Sequence, residues 1–210
     1  MSVILYDYWR SSASYRVRIA LNLKGLAYEA VDISLLDGDQ RSPAHRARNP
    51  QGLVPALAID GLMLTQSLAI IDYLDARQPE PRLVPADPAT RAQALARALV
   101  IAADIHPIDN LRVLRYLKDR LGIDQAGRDD WYRHWIAEGF AALEAMAPDS
   151  PFLGGDAPDL ADICLVPQMY NARRLEAPLD DYPKLVRIDA ACQALGAFAA
   201  AHPDRVKPAG

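Results

Sequence analysis

Cysteine is scarce in this sequence, and its scarcity argues against disulfide chemistry. The 210 residues include two cysteines, Cys164 and Cys192, which lie far apart in apolar stretches and form no C-x-x-C pair. Cysteines in such surroundings behave as small buried hydrophobic residues when the compartment is reducing. We therefore expect two buried free thiols in a cytoplasmic protein.

The sequence also lacks a long apolar run, an excess of positive charge and a cluster of metal-ligating residues. No stretch reaches the roughly 18 apolar residues that a membrane span needs, and the N-terminus does not resemble a signal peptide. The net charge of −4 does not favour nucleic acid, whose phosphates require a basic surface. The four histidines share no ligand spacing. We expect no membrane span, no nucleic-acid partner and no metal site.

Residues 1–80 carry the signals of a small α/β domain. Apolar runs at 3–6 and 28–33 flank a helical pattern, and a later hairpin turns at Asp60-Gly61 before a helix that Ser67 could cap. A helix between two strands favours a parallel pair, and the hairpin adds an antiparallel edge. The predicted order is βαβαββα.

Beyond residue 80 the strand signals disappear. Residues 79–88 hold four of the 16 prolines and are predicted to form a semi-rigid linker. Residues 89–121 show helical spacing that Pro107 should kink or interrupt, and Asp159 and Asp162 have the spacing of a capping box. The sequence therefore predicts an all-helical domain over residues 89–210, so the fold class is α/β plus all-α.

Hydroxyls stand where the first strand gives way to the first helix. Ser11-x-x-Ser14 occupies the turn in which a thioredoxin-like domain would carry a redox cysteine pair. A hydroxyl at a helix N-terminus can donate a hydrogen bond to a thiolate and, with the helix dipole, lower the pKa of that thiol. On this interpretation a ligand supplies the sulfur; on the alternative, the serines only cap the helix.

Two further motifs suit a peptide ligand. If the bond before Pro55 is cis, the backbone of Val54 turns outward and can pair with an extended peptide; an ordinary strand-edge proline is the alternative. Ser67 begins a helix whose free N–H groups and dipole favour a carboxylate.

Four motifs, read in order, resemble one known family. They are S-S-A-S-Y-R-V-R-I-A-L near the start, N-P-Q-G-L-V-P-A-L at 49–57, Q-S-L-A-I-I-D-Y-L at 66–74 and D-L-A-D-I-C-L-V-P-Q at 159–168. Together they resemble the zeta class of glutathione transferases over essentially the whole chain. The resemblance implies a thioredoxin-like N-terminal domain, a helical-bundle C-terminal domain, glutathione as cofactor and a homodimer.

The implied activity is the cis–trans isomerisation of maleylacetoacetate to fumarylacetoacetate in tyrosine and phenylalanine breakdown. A thiolate suits it because it adds to a double bond, permits rotation and leaves again. Three alternatives stay open: a maleylpyruvate isomerase of gentisate degradation, a general zeta-class transferase or haloacid dehalogenase, and a binding module without catalysis. Ala13, where the family usually has cysteine, weakens any chemistry that needs a protein thiol to resolve a mixed disulfide.

The resemblance also implies roles for individual residues. Ser11 would be the catalytic donor to the glutathione sulfur, with Ser12 beside it as a second catalytic residue. Contacts to glutathione are implied for Gln40 at the glycine end, for Val54 and Pro55 at the cysteinyl unit, for Gln66 and Ser67 at the γ-glutamyl end, and for His106 and Asn110 in the second domain.

The substrate that the resemblance implies is an unsaturated dicarboxylate, so the site would require cations. Arginine binds carboxylates through paired, charge-assisted hydrogen bonds. We expect Arg10, Arg112 and Arg174 to converge over the sulfur as substrate-binding residues, with Arg10 and Arg174 also catalytic; a solvated surface arginine is the alternative for each. Arg16 and Arg18 lie two apart on a helix, so one should approach the site and the other should be structural.

Overall fold

The N-terminal part of the chain forms a four-stranded sheet flanked by helices. The computed structural model describes residues 2–208. The strands are β1 (Ile4–Asp7), β2 (Glu29–Asp32), β3 (Ala56–Ile59) and β4 (Leu62–Thr65), in the order β2-β1-β3-β4. β1 runs parallel to β2, and β3 runs antiparallel to both β1 and β4.

Three helices complete this part. They are α1 (Ser12–Leu23), α2 (Pro43–Arg48), which follows a 3₁₀ turn at Asp39–Arg41, and α3 (Ser67–Arg77). α1 connects β1 to β2, as a parallel pair requires. The predicted βαβαββα order is confirmed.

The rest of the chain is helical. Its helices are α4 (Pro88–Leu99), α5 (His106–Ile108), α6 (Leu111–Leu121), α7 (Gln125–Met146), α8 (Leu160–Arg174), α9 (Pro183–Gln193), α10 (Gly196–Ala201) and α11 (Pro203–Val206). Asp159 and Asp162 form the predicted capping box at the start of α8. The predicted fold class, α/β plus all-α, is confirmed.

The chain divides into two compact units, and the division differs from the sequence-based boundary. The first unit runs to Val84 and includes the residues from Ala194 onward, while the second spans Pro85–Gln193. The C-terminal helices join the first unit because α10 packs on α1. There the side chain of Asn22 donates to the carbonyl of Ala197 at 2.9 Å.

The helical run over residues 89–121 is irregular on both sides of Pro107. A π-helical turn at Val100–Ile105 precedes the proline and continues directly into α5, so the missing N–H of Pro107 falls inside a helical run. The chain leaves the helix just after it, at Asp109 and Asn110. Ile105 packs where a Cβ on Gly139 would stand, so this glycine permits the close approach of α7.

Two expectations about the chain as a whole can be compared with the structure. Both cysteines are free and buried, as predicted. Between residues 2 and 208, none of the helices is long and apolar enough to span a bilayer.

Candidate active site

Ser11 sits at the N-terminus of α1 with its hydroxyl polarity fixed. Its backbone is extended, and its Oγ accepts a hydrogen bond from the backbone N–H of Ser14 at 3.3 Å. Because the oxygen accepts here, its own hydrogen is left to be donated to another acceptor. Ser11 therefore caps the helix and can also act as a donor at the positive end of α1, so the two sequence interpretations are compatible. Ser12, which follows it, is buried.

Arg18 fixes the loop that precedes Ser11. Its Nη1 donates to both carboxylate oxygens of Asp7 at 2.8 Å, and its Nη2 donates to the carbonyl of Trp9 at 2.9 Å. Its Nε donates to the carbonyl of Ala201 at 3.1 Å. Arg18 thus joins the end of β1 to Trp9 through a buried ion pair with Asp7 and a hydrogen bond to the Trp9 carbonyl.

Two cations flank the indole ring of Trp9. The guanidinium carbon of Arg10 and the Nζ of Lys207 each lie 5.3 Å from the ring centroid. Such contacts hold a cation in place through the ring quadrupole. Arg10, which the sequence predicted as a carboxylate ligand, is half-buried and precedes Ser11 in the chain. Its contact with Trp9 orients its guanidinium group.

The loop before β3 presents the backbone of Val54. The Val54–Pro55 peptide bond is cis, and the ladders on both sides of β3 begin at Ala56, so the N–H and C=O of Val54 lie outside the sheet pairing. The carbonyl of Leu53 accepts from the side chain of Asn49 at 2.9 Å and lies 2.8 Å from Nε2 of His45. Since a carbonyl only accepts, the second contact requires a proton on Nε2.

The start of α3 differs from its prediction. Ser67 is the first helical residue and not the cap; Gln66 occupies the cap position without a capping side-chain bond, and its φ of 69° is in the left-handed region. The side chain of Gln66 donates to Oε1 of Gln51 at 2.7 Å. Ser67 Oγ accepts from Nη1 of Arg16 at 3.3 Å, which links α3 to α1.

Gln40 lies in the 3₁₀ turn and is buried. Its Oε1 finds no hydrogen-bond partner among the described residues. The backbone of this turn lies close to the loop that contains Gly52. A Cβ on Gly52, whose φ is +63°, would stand 3.0 Å from the carbonyl oxygen of Gln40. Ser11, Val54, Gln66 and Ser67 all belong to the first unit, in which the turn of Gln40 lies against the loop that carries Val54.

In the second unit, three predicted residues lie along one short stretch. His106 begins α5, and Asn110 caps α6 by accepting from the backbone N–H of Arg112 at 3.1 Å. Between them Asp109 is buried, its carboxylate has no partner among the described residues, and burial raises its pKa to about 8. Arg112 is exposed.

Arg174 lies apart from that stretch, as the last residue of α8, and is exposed. Its predicted role depends on the family resemblance.

The first unit offers what a short acidic peptide with a thiol requires. It has a hydroxyl donor at one helix N-terminus, a second helix N-terminus, and backbone N–H and C=O groups at Val54 that lie outside the sheet pairing. The first turns of α1 and α3 carry no acidic side chain, so the positive ends of both helices are uncompensated within their own first turns. Glutathione fits this set of donors and acceptors.

Comparison with known families matches both parts of the chain. Residues 5–82 match the glutathione S-transferase N-terminal domain and residues 125–201 match the glutathione S-transferase C-terminal domain. The chain belongs to the glutathione S-transferase family.

Individual relatives cover nearly the whole chain. A maleylacetoacetate isomerase of Rhizobium meliloti is 53% identical, covering 98% of both chains. A holo structure of a maleylpyruvate isomerase, described as a bacterial zeta-class glutathione S-transferase, has a TM-score of 0.96 at 43% identity and covers 99% of this chain and 100% of its own. The predicted zeta-class relationship is confirmed.

A third relative was solved with a ligand in place. A maleylacetoacetate isomerase of Anaeromyxobacter dehalogenans has dicarboxyethyl glutathione and citrate in its active site. It is 46% identical to this chain, with a TM-score of 0.87, and covers 100% of this chain and 98% of its own.

Sequence reasoning missed the residues that hold the site in position. Arg18, His45 and Asn49 do not touch the predicted ligand positions directly, and their roles depend on contacts with backbone carbonyls. A signal existed only for the arginines: two charged residues stand in a helix that is otherwise buried almost all round. The expectation that one would be structural fits Arg18, and the other, Arg16, reaches Ser67.

Proposed function

We propose that this protein is a glutathione-dependent cis–trans isomerase that converts maleylacetoacetate to fumarylacetoacetate. The observation that carries the proposal is the polarity of Ser11, whose oxygen accepts from Ser14 and whose hydrogen is left for a ligand sulfur. The relative from Rhizobium meliloti supports the choice of substrate.

In this proposal the first unit binds glutathione. The backbone of Val54, beside Pro55, pairs with the cysteinyl unit; Gln66 and Ser67 hold the γ-glutamyl end; and Gln40 holds the glycine end. His106 and Asn110 of the second unit add contacts, as the family resemblance implies. Bound glutathione supplies a thiolate that can add reversibly to a carbon–carbon double bond.

The protein's own residues prepare that sulfur. Ser11 donates a hydrogen bond to it, Ser12 supports the same loop, and the positive end of α1 favours negative charge. Both effects stabilise the ionised form and therefore lower the pKa of the thiol.

Arginine side chains bind the substrate. Arg10, Arg112 and Arg174 would receive the two carboxylates and stabilise negative charge that develops on the substrate, with Arg10 and Arg174 also acting in catalysis. The dicarboxyethyl glutathione held by the relative from Anaeromyxobacter dehalogenans supports a site that tolerates a dicarboxylate next to the sulfur.

A second candidate is isomerisation of maleylpyruvate, which the similarity to the zeta-class maleylpyruvate isomerase favours. Both substrates are cis-unsaturated dicarboxylates and need the same cations. The haloacid dehalogenase alternative is weaker because Ala13 supplies no thiol. Retention of Ser11 and the other ligand contacts argues against a module without catalysis.

Turnover of both substrates by the purified protein tests the proposal. We expect glutathione-dependent isomerisation with a higher kcat/KM for maleylacetoacetate than for maleylpyruvate. A higher value for maleylpyruvate would replace the proposed substrate with the second candidate. Glutathione binding without turnover of either compound would leave the binding module as the correct description.

We also propose a cytoplasmic location and a homodimer. Two free, buried cysteines suit a reducing compartment, and the family resemblance supports the dimer. Light scattering coupled to size exclusion would test the dimer, with a monomeric mass as the contrary result.

A further inference from the structure

A buried arginine stands behind the proposed γ-glutamyl site. Arg16, in the second turn of α1, is 2% exposed, and its Nη1 donates to Oγ of Ser67 at 3.3 Å. Ser67 is itself 5% exposed and begins α3. Burying a guanidinium is costly unless it serves charge or hydrogen bonding at its destination.

The contact fixes the direction of the Ser67 hydroxyl. A guanidinium has donors and no acceptor, so Ser67 Oγ must accept from Arg16. The hydroxyl hydrogen of Ser67 is then directed to a different acceptor. Ser67 thereby has the polarity that Ser11 has at the start of α1, where a backbone N–H and not an arginine sets it.

Three features at this end of α3 favour an anion. The helix N-terminus is its positive end, and its first turn has no acidic residue. The positively charged Arg16 side chain is hydrogen-bonded to Ser67, the first residue of the helix. Gln66, the other predicted ligand of the γ-glutamyl end, is anchored separately by Gln51.

We propose that Arg16 is a positioning residue that gives this site its requirement for the α-carboxylate of the γ-glutamyl unit. It does so by holding Ser67 as a hydrogen-bond donor and by placing its charge behind the carboxylate. The inference depends on the proposed function, because glutathione is taken as the ligand. It predicts that Arg16 raises the affinity for ligands that carry this carboxylate and not the affinity for ligands that lack it.

Comparing two ligands in the wild type and in Arg16 variants separates this role from a structural one. Calorimetry would measure the affinity of the intact protein for glutathione and for γ-aminobutyryl-cysteinyl-glycine, which lacks only that carboxylate. The same two ligands would be titrated into Arg16→Met and into Arg16→Gln, each checked for native near-ultraviolet circular dichroism. Since a general structural defect weakens both ligands, only a specific role changes the ratio.

We expect the wild type to favour glutathione over the analogue by about 10- to 100-fold, the worth of a charge-assisted hydrogen bond. In both Arg16 variants this ratio should fall most of the way to one, chiefly through weaker glutathione binding. A ratio equal to that of the wild type in a folded variant would overturn the inference. If Arg16→Met does not fold, Arg16→Gln, which keeps a polar side chain of similar reach, decides the outcome.

Arg77→Met is the matched control. Arg77 lies at the other end of α3, where it pairs with Asp60 at the surface, and its loss should leave the ratio unchanged. A wild-type protein that binds glutathione without isomerase activity would refute the proposed function but leave this inference testable. A wild type that binds neither ligand would refute both.

Discussion

Two serines at helix starts show how a single hydroxyl gains a direction. Ser11 and Ser67 each accept from a neighbour, a backbone N–H in one case and Arg16 in the other. Sequence patterns predicted the capping role of Ser11 correctly. They also predicted Ser67 as the cap of α3, whereas the cap is the preceding residue, Gln66. The φ of Gln66 is in the left-handed region, where glycine or asparagine would be the expected residue.

The predicted arginines can be tested one residue at a time. Arg10→Ala, Arg112→Ala and Arg174→Ala should each raise KM for the dicarboxylate about tenfold or more, because each removes a charge-assisted bond. Glutathione affinity should stay near that of the wild type. Steady-state kinetics and calorimetry measure the two quantities.

Arg120→Ala is the control for these variants, since Arg120 is an exposed arginine of α6, the helix that also carries Arg112. It should leave KM unchanged. Kinetics that are unaltered in all three test variants would remove the carboxylate-binding proposal.

At the scale of elements, the sheet, the hairpin and a disturbance of the helix near Pro107 were predictable, and the residue at which α5 ends was not. Alternation and the Asp60-Gly61 turn are local signals, and the structure has the hairpin there. Near the end of α5, Ile105 packs against Gly139, which is a contact between distant segments that local patterns do not encode. The membership of α10 in the first unit depends likewise on α1, through Asn22 and Arg18.

The loop before β3 should depend on Asn49 for its ligand-binding shape. Asn49→Ala removes one of two side-chain contacts to the Leu53 carbonyl, together with the acceptor for the N–H of Gln51. We expect glutathione affinity to fall about tenfold and the free energy of unfolding to fall by about 1–3 kcal/mol. Calorimetry and chemical denaturation provide these values.

Asn22→Ala is a fair comparison because Asn22 also donates to a backbone carbonyl, that of Ala197, in the same unit. It should reduce stability without a matching loss of glutathione affinity. Equal losses of affinity in the two variants would contradict a specific role for the Asn49 loop.

At the scale of the whole molecule, buried acids of the second unit should make stability depend on pH. Burial raises the pKa of Asp109 to about 8 and that of Asp159 to about 6, and it raises the pKa of Asp162 as well. The folded chain therefore holds these protons more tightly than the unfolded chain, whose aspartates titrate near pH 4. The stabilising effect is complete below about pH 4 and is lost as pH rises through the folded values.

Asp109→Asn isolates the largest of these effects. The variant should lose the decline that Asp109 causes between about pH 4 and pH 8 and should exceed the wild type by about 1–3 kcal/mol at the upper end, since an unpaired buried charge no longer forms. Urea denaturation across this range measures the difference. Asp119→Asn, at an exposed position of α6, should follow the wild type, and a decline that persists in Asp109→Asn would contradict the assignment.

The family and fold could be predicted from short motifs because those motifs encode turns, caps and backbone exposure. The positioning residues could not, since Arg16 and Ser67 stand 51 positions apart in sequence and nothing local pairs them. The same holds for Arg18 and Ala201. The residues proposed to touch the ligand could be predicted because they lie in short local motifs. The contacts that hold those residues in place could be recognised only in the folded chain.

The most direct test of the account is the pKa of the glutathione thiol bound to the protein. Ultraviolet absorbance of the thiolate, followed across pH, would be compared for the wild type and Ser11→Ala. The account predicts a thiol pKa well below that of free glutathione in the wild type and a rise toward the free value in the variant, with isomerase activity reduced about 10- to 100-fold. Equal thiol pKa values in the two proteins would contradict it.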